Sequence, residues 1–137
     1  MKITIFVSIL ILLAKINLCQ GPSVEESTIY NPRVTTMKLG NGNNFPKKWD
    51  TVEVHYRGFF MDNKQFDSSY DRNNTFHFKL GLGHVIKCWD FVVSKMSIGQ
   101  KIQVRCPSEW AYGARGAGGL IPPNADLIFE IELLSYK

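Results

Sequence analysis

Three stretches of the chain carry apolar residues at every second position, and together they outline a sheet. Over residues 51–56, Val52, Val54 and Tyr56 share one face while Thr51, Glu53 and His55 share the other, the two-residue period of a half-buried strand. Ile102, Val104 and Cys106 do the same over 101–106, and Leu127, Phe129, Ile131 and Leu133 over 126–136. Shorter strands are predicted at 34–39, around 65–68, and at 75–80, where Phe76, Phe78 and Leu80 lie on one side. The turn cluster Gly40-Asn41-Gly42-Asn43-Asn44 closes the first of these, and Met61-Asp62-Asn63-Lys64 turns the chain into the next. From Ile86 the period changes. Trp89, Val92, Val93 and Met96 follow the i, i+3, i+4, i+7 spacing of one helical face, and Gly99 is placed to stop that helix in the left-handed conformation. Several antiparallel strands and one short helix define an α+β domain, with the helix lying across the sheet because it cannot bury its apolar face alone.

The first residues do not belong to this pattern. Lys2 precedes an almost unbroken apolar run over 3–14, followed by Lys15, Asn17 and the small-residue stretch Cys19-Gln20-Gly21. That is the layout of a secretory signal peptide over residues 1–19, cleaved after Cys19 or after Gly21. The other reading is a membrane anchor, but the run is well short of the ~20 apolar residues that a spanning helix needs. Residues 20–32 then read as a loose polar lead and 33–137 as one folded domain. Removal of Lys2 and Lys15 lowers the formal net charge of +4 by two. The remaining Lys and Arg are dispersed among acids, which argues against nucleic acid as a partner.

Of the three cysteines, Cys19 lies at the cleavage point and leaves Cys88 and Cys106. An even number in an oxidising compartment suggests one bridge; two buried free thiols are the alternative. Asn73-Asn74-Thr75 is a candidate glycosylation acceptor at Asn73, on a predicted loop. His55, His77 and His84 stand at no metal-ligand spacing and are expected to be solvated, so no metal is assigned. Gly113-Ala114-Arg115-Gly116-Ala117-Gly118-Gly119 lacks the following helix of a phosphate loop, since Pro122-Pro123 comes next; it is expected to be a mobile surface loop. Aromatic residues are spread over nearly every predicted element, from Tyr56 to Phe129. Most should fill the core, but a small domain has limited room for so many rings, and some can line a pocket with Asp67 as a polar group.

The residues also fall into a recognisable order. Val54-His55-Tyr56-Arg57-Gly58, Phe66-Asp67-Ser68-Ser69 and Phe76 with Phe78 come first; Gly83-His84-Val85-Ile86-Lys87-Cys88-Trp89-Asp90, Ala111-Tyr112-Gly113 and Ile121-Pro122-Pro123 follow. With the closing strand, this series resembles the FKBP-type peptidyl-prolyl cis–trans isomerases over almost the whole mature chain. The resemblance implies a twisted antiparallel sheet wrapped around one short helix, with a pocket between them. It implies Tyr56, Asp67 and Tyr112 as catalytic residues, and Phe66, Phe76, Val85, Ile86, Trp89 and Phe129 as pocket residues. Trp89 would form the floor and Asp67 a buried carboxylate at the rim, while Leu120 and Ile121 would belong to an overhanging loop. Such an enzyme needs no cofactor. Its implied partners are proline-containing peptides, unfolded or secreted proteins, and macrolides such as FK506 or rapamycin. It would work as a monomer, and the leader and cysteines, not the resemblance, put it in the secretory pathway, secreted or in the endoplasmic reticulum lumen, with no membrane attachment after leader removal. No Lys-Asp-Glu-Leu-type retention signal follows Lys137. His84, Cys88, Trp110 and Ala117-Gly118-Gly119 depart from the common pattern of the family. A non-catalytic module using the same pocket or its loop is the alternative.

Overall fold

The computed structural model describes residues 31–137, so the expected leader and most of the polar lead lie outside it. Six antiparallel strands form a single sheet: β1 Arg33–Lys38, β2 Thr51–Phe60, β3 Gln65–Ser68, β4 Phe76–Lys79, β5 Lys101–Cys106 and β6 Leu127–Tyr136. The order is β1-β5-β6-β2-β3, and β4 also pairs with β2. β3 and β4 share one edge of β2, β3 beside residues 57–59 and β4 beside 51–54. Residues 69–75 are therefore pushed out of the sheet between them. This is the FKBP-like α+β architecture.

The alternating stretches place their apolar faces inward. Val52, Val54, Ile102, Val104, Leu127, Ile131 and Leu133 are essentially inaccessible to solvent. Against this face packs the one α-helix of the described residues, α1 Lys87–Val93, which buries Cys88, Trp89, Val92 and Val93. Seven residues are too few for a helix to hold by itself, so tertiary packing keeps it. The helix ends earlier than the periodicity predicts. After Ser94, Lys95 and Met96 donate to Val92 and Val93 carbonyls in tight three-residue turns, and Met96 remains buried outside the helix. Gly99 does adopt a left-handed conformation (φ 83°), but there it turns the chain into β5, with its N–H on the Leu133 carbonyl at 2.8 Å. Cys88 and Cys106 are joined as a disulfide with 5.9 Å between their Cα atoms, tying α1 to the end of β5.

β2 runs to Phe60, four residues beyond the strict alternation, because Gly58 interrupts the apolar pattern without interrupting pairing. A Cβ at Gly58 would lie 2.6 Å from Phe66 Cζ and 3.1 Å from Phe129 Cε1. The missing side chain is what admits both rings. The glycine-rich segment after Tyr112 is more structured than a mobile loop. It holds a 3₁₀ turn, Gly113–Arg115, and a small antiparallel bridge in which Ala117 and Ile121 exchange backbone hydrogen bonds of 3.0 and 2.9 Å.

Candidate functional site

Between α1 and the concave face of the sheet lies a cavity of about 360 Å³, within the size range of small-ligand sites. Its floor is Trp89, carried on the first turn of α1 and only 5 % exposed. Tyr56 from β2 meets the Trp89 ring edge-on at 4.9 Å, and Phe129 from β6 does so at 5.4 Å. Phe66 packs edge-on against Phe129 at 5.9 Å, and Phe76 against Tyr56 at 5.8 Å. Edge-to-face pairs of this kind add about 0.5–1.5 kcal/mol each beyond simple burial; here they hold the rings apart so that the hollow stays open. Val85 and Ile86 form the wall leading into α1, and His84 and Tyr112 complete the lining.

Asp90, the residue after Trp89, orients that wall. Its carboxylate accepts the N–H groups of Gly81 at 2.8 Å and Gly83 at 3.0 Å, pinning the turn before residues 84–86. The Ile86 carbonyl accepts from Trp89 and Asp90 as α1 begins. Its N–H has no acceptor among the described residues. The Tyr112 hydroxyl likewise has no hydrogen-bond partner there, and burial followed by the nearby Asp67 charge raises its pKa, so it remains a neutral donor. The buried indole N–H of Trp89 is also unpaired among the described residues; unmet buried donors are uncommon in folded proteins.

Asp67 is more exposed than its expected role as a buried carboxylate implies, with 37 % of its side chain accessible. Sequence reasoning missed its principal partner, Arg72, which the expelled 69–75 segment brings back to the cleft. Arg72 donates to Asp67 Oδ1 and, at 2.8 Å, to the Tyr56 hydroxyl. That hydroxyl in turn donates to Asp67 Oδ2 at 2.5 Å. Partial burial acts to raise the Asp67 pKa, but hydrogen bonds from Tyr56 and Arg72, the Arg72 charge and the Ser68 N–H outweigh it and hold the carboxyl below its ordinary range. Burial, and then the hydrogen bond to Asp67, push the Tyr56 hydroxyl up. The Asp67 negative charge is thus permanent at neutral pH and fixed at the rim. Nothing in local periodicity marks Arg72; only its spacing of five residues from Asp67 hints at a partner.

Eight of the sequence-derived pocket residues, Tyr56, Phe66, Asp67, Phe76, Val85, Ile86, Trp89 and Phe129, converge on this cavity with Tyr112. Leu120 and Ile121 do not line it. The Ala117–Ile121 bridge turns Ile121 into the core, at 6 % exposure, and leaves Leu120 on the surface. His84 is exposed at the edge of the cavity. His55 is only partly solvated: its ring stacks on Tyr70 at 4.3 Å and its Nδ1 lies 2.8 Å from Ser69 Oγ.

An aromatic hollow with a few fixed polar groups at its rim is suited to holding an occupant in one chosen shape. The model of the FKBP-type peptidyl-prolyl cis–trans isomerase domain matches residues 42–134. The chain is 53 % identical over 104 residues to FK506-binding protein 1A of Emericella nidulans, which covers 76 % of this chain and 96 % of that protein. It is 49 % identical over 105 residues to the peptidyl-prolyl cis–trans isomerase FKBP1A of Xenopus laevis, covering 77 % and 97 %. With FK506-binding protein 1 of Eremothecium gossypii it shares 47 % over 107 residues, covering 78 % and 94 %. The chain belongs to the FKBP-type peptidyl-prolyl cis–trans isomerase family.

Proposed function

We propose that this isomerase seats the proline ring of X–Pro segments on Trp89 and accelerates rotation about the preceding amide bond in polypeptides of the secretory pathway. The observation that carries this reading is the open aromatic hollow with Trp89 as its floor. Rotation is opposed by ~18–20 kcal/mol because amide resonance must be lost, and uncatalysed exchange at proline takes tens to hundreds of seconds. In the twisted amide the C–N bond loses double-bond character and its charge separation falls. A dry apolar wall therefore favours the twisted form over the planar one, and that difference is the catalysis. The free Tyr112 hydroxyl and Ile86 N–H hold the substrate backbone, and the fixed Asp67 charge orients the rotating group without taking up a proton. The same hollow suits the ring systems of macrolides such as FK506.

The secretory setting is supported by the apolar leader read from the sequence and by the bridge between Cys88 and Cys106, since such bridges persist in oxidising compartments. A protease-coupled assay on proline tetrapeptides tests the activity, with Phe66→Ala as a control and FK506 as a competitor. The expected result is a rate well above buffer, lost in the variant and suppressed by FK506. A background rate from protein that nevertheless binds FK506 overturns the catalytic reading in favour of a binding module.

A further inference from the structure

The segment pushed out between β3 and β4 carries a feature that isomerisation does not use. Asn73-Asn74-Thr75 is the one Asn-x-Ser/Thr acceptor pattern in the chain. The structure presents it outward. Asn73 is exposed, at the end of a turn, with φ at 49°. The turn is braced from behind, with the Asn73 N–H on the Tyr70 carbonyl at 3.0 Å and the Asn74 N–H on the Ser69 carbonyl at 3.2 Å. Backbone bonds therefore hold the loop while the Asn73 side chain stays clear of it.

The location is as informative as the exposure. Arg72, immediately before, donates to Asp67 and Tyr56 at the rim of the cleft. Phe76, three residues after Asn73, lines the cleft and is itself 36 % exposed. We propose that Asn73 carries an N-linked oligosaccharide and that this glycan stands at the mouth of the isomerase cleft, restricting it to flexible segments. The inference rests on the secretory reading above. The co-reactant is an oligosaccharide linked through N-acetylglucosamine to a polyprenyl diphosphate. Asn73 Nδ2 forms the bond to the sugar C1 and gives up one proton, the C1–O bond to diphosphate breaks, and polyprenyl diphosphate leaves. In the folded domain Thr75 Oγ1 donates to Glu53 Oε1 at 2.9 Å, so the acceptor is read before β4 docks on β2, as the chain enters the lumen.

The consequence for substrates is steric. A short peptide enters beneath a branched sugar, whereas a compact protein must bring a large surface to the same rim, where orientation already limits association. The full chain is produced in a eukaryotic secretory host, and its intact mass is measured before and after peptide-N-glycosidase, which leaves Asp at position 73. The expected mass carries a glycan that Asn73→Asp and Thr75→Ala abolish and Thr75→Ser retains. On glycan release, kcat/KM for a tetrapeptide stays unchanged, while catalysed refolding of a proline-limited globular protein becomes severalfold faster, matching Asn73→Asp. A chain that stays outside the lumen, with its leader uncleaved and Cys88 and Cys106 both free, sinks the secretory reading and the glycan with it. A processed, disulfide-bonded chain with unmodified Asn73 sinks the glycan alone. A glycan whose release leaves the peptide-to-protein ratio unaltered sinks its place at the cleft mouth.

Discussion

Cys88 and Cys106 join the helix that carries the cleft floor to the end of β5, and opening that bond without altering any residue has a calculable effect. The two residues are 18 apart in sequence. Closing a loop of that length removes unfolded-state entropy worth about 3 kcal/mol at room temperature in the chain-entropy model. A domain of roughly a hundred residues has an unfolding entropy of about 0.2 kcal/mol/K, so the reduced protein should melt roughly 15 °C lower. Both cysteines are fully buried, and reductant will not reach them in the native state. The protein should be unfolded in guanidinium with a phosphine reductant, refolded with reductant present, and compared with oxidised protein by calorimetry. Alkylation and intact mass confirm the number of free thiols in each sample. Isomerase activity below the melting point should survive reduction, because Trp89 is also held by Tyr56 and Phe129. Equal melting temperatures for samples with zero and two alkylated cysteines would refute the reasoning.

Three further substitutions address the cleft itself. Tyr112→Phe removes a hydroxyl with no partner among the described residues, so stability should not change; kcat/KM should fall by the value of one hydrogen bond, about 0.5–1.5 kcal/mol, and an unaltered kcat/KM excludes a substrate contact. Arg72→Ala removes a hydrogen bond and a charge that lower the Asp67 pKa, while partial burial continues to raise it. In the native protein the contribution of ionised Asp67 is complete above its unfolded-state pKa and is lost only as pH falls through the lower folded value. The acid limb of the kcat/KM profile should therefore lie below about pH 4 for the native protein and move to higher pH in the variant; coincident limbs would separate activity from the Asp67 charge. Gly58→Ala sets a methyl 2.6 Å from Phe66 Cζ and should destabilise by about 1–3 kcal/mol as an overpacked site, with a fall in kcat/KM as Phe66 leaves the wall. Native values of both by denaturant titration and coupled assay would show that the wall has slack.

The strands were legible in the sequence because a two-residue period is a local property. Any stretch that alternates as 101–106 does must show Ile102, Val104 and Cys106 to the same side, whatever lies opposite. The helix was legible for the same reason, but its end was not. Periodicity carried the pattern on to Met96, whereas packing against the sheet closed the helix at Val93 and left Met96 buried in a turn. The ordered series of aromatic motifs pointed to the pocket through family resemblance, and the rings do meet. The same resemblance assigned Leu120 and Ile121 to an overhanging loop; they fall in the loop after Gly116, where Ile121 is buried beside its bridge to Ala117 and Leu120 is exposed.

Sequence by itself determined which side chains face inward in each strand and that many rings were spread over a small domain. Only the tertiary structure decided what those inward faces meet. Arg72 reaches Asp67 and Tyr56 because β3 and β4 share one edge of β2 and expel the segment between them. Gly58 matters because Phe66 and Phe129 arrive from two other strands to fill its missing side chain. The physical reason is that hydrophobic period encodes orientation within one element, whereas a binding site is made of distances between elements, and those are set when the whole core packs together.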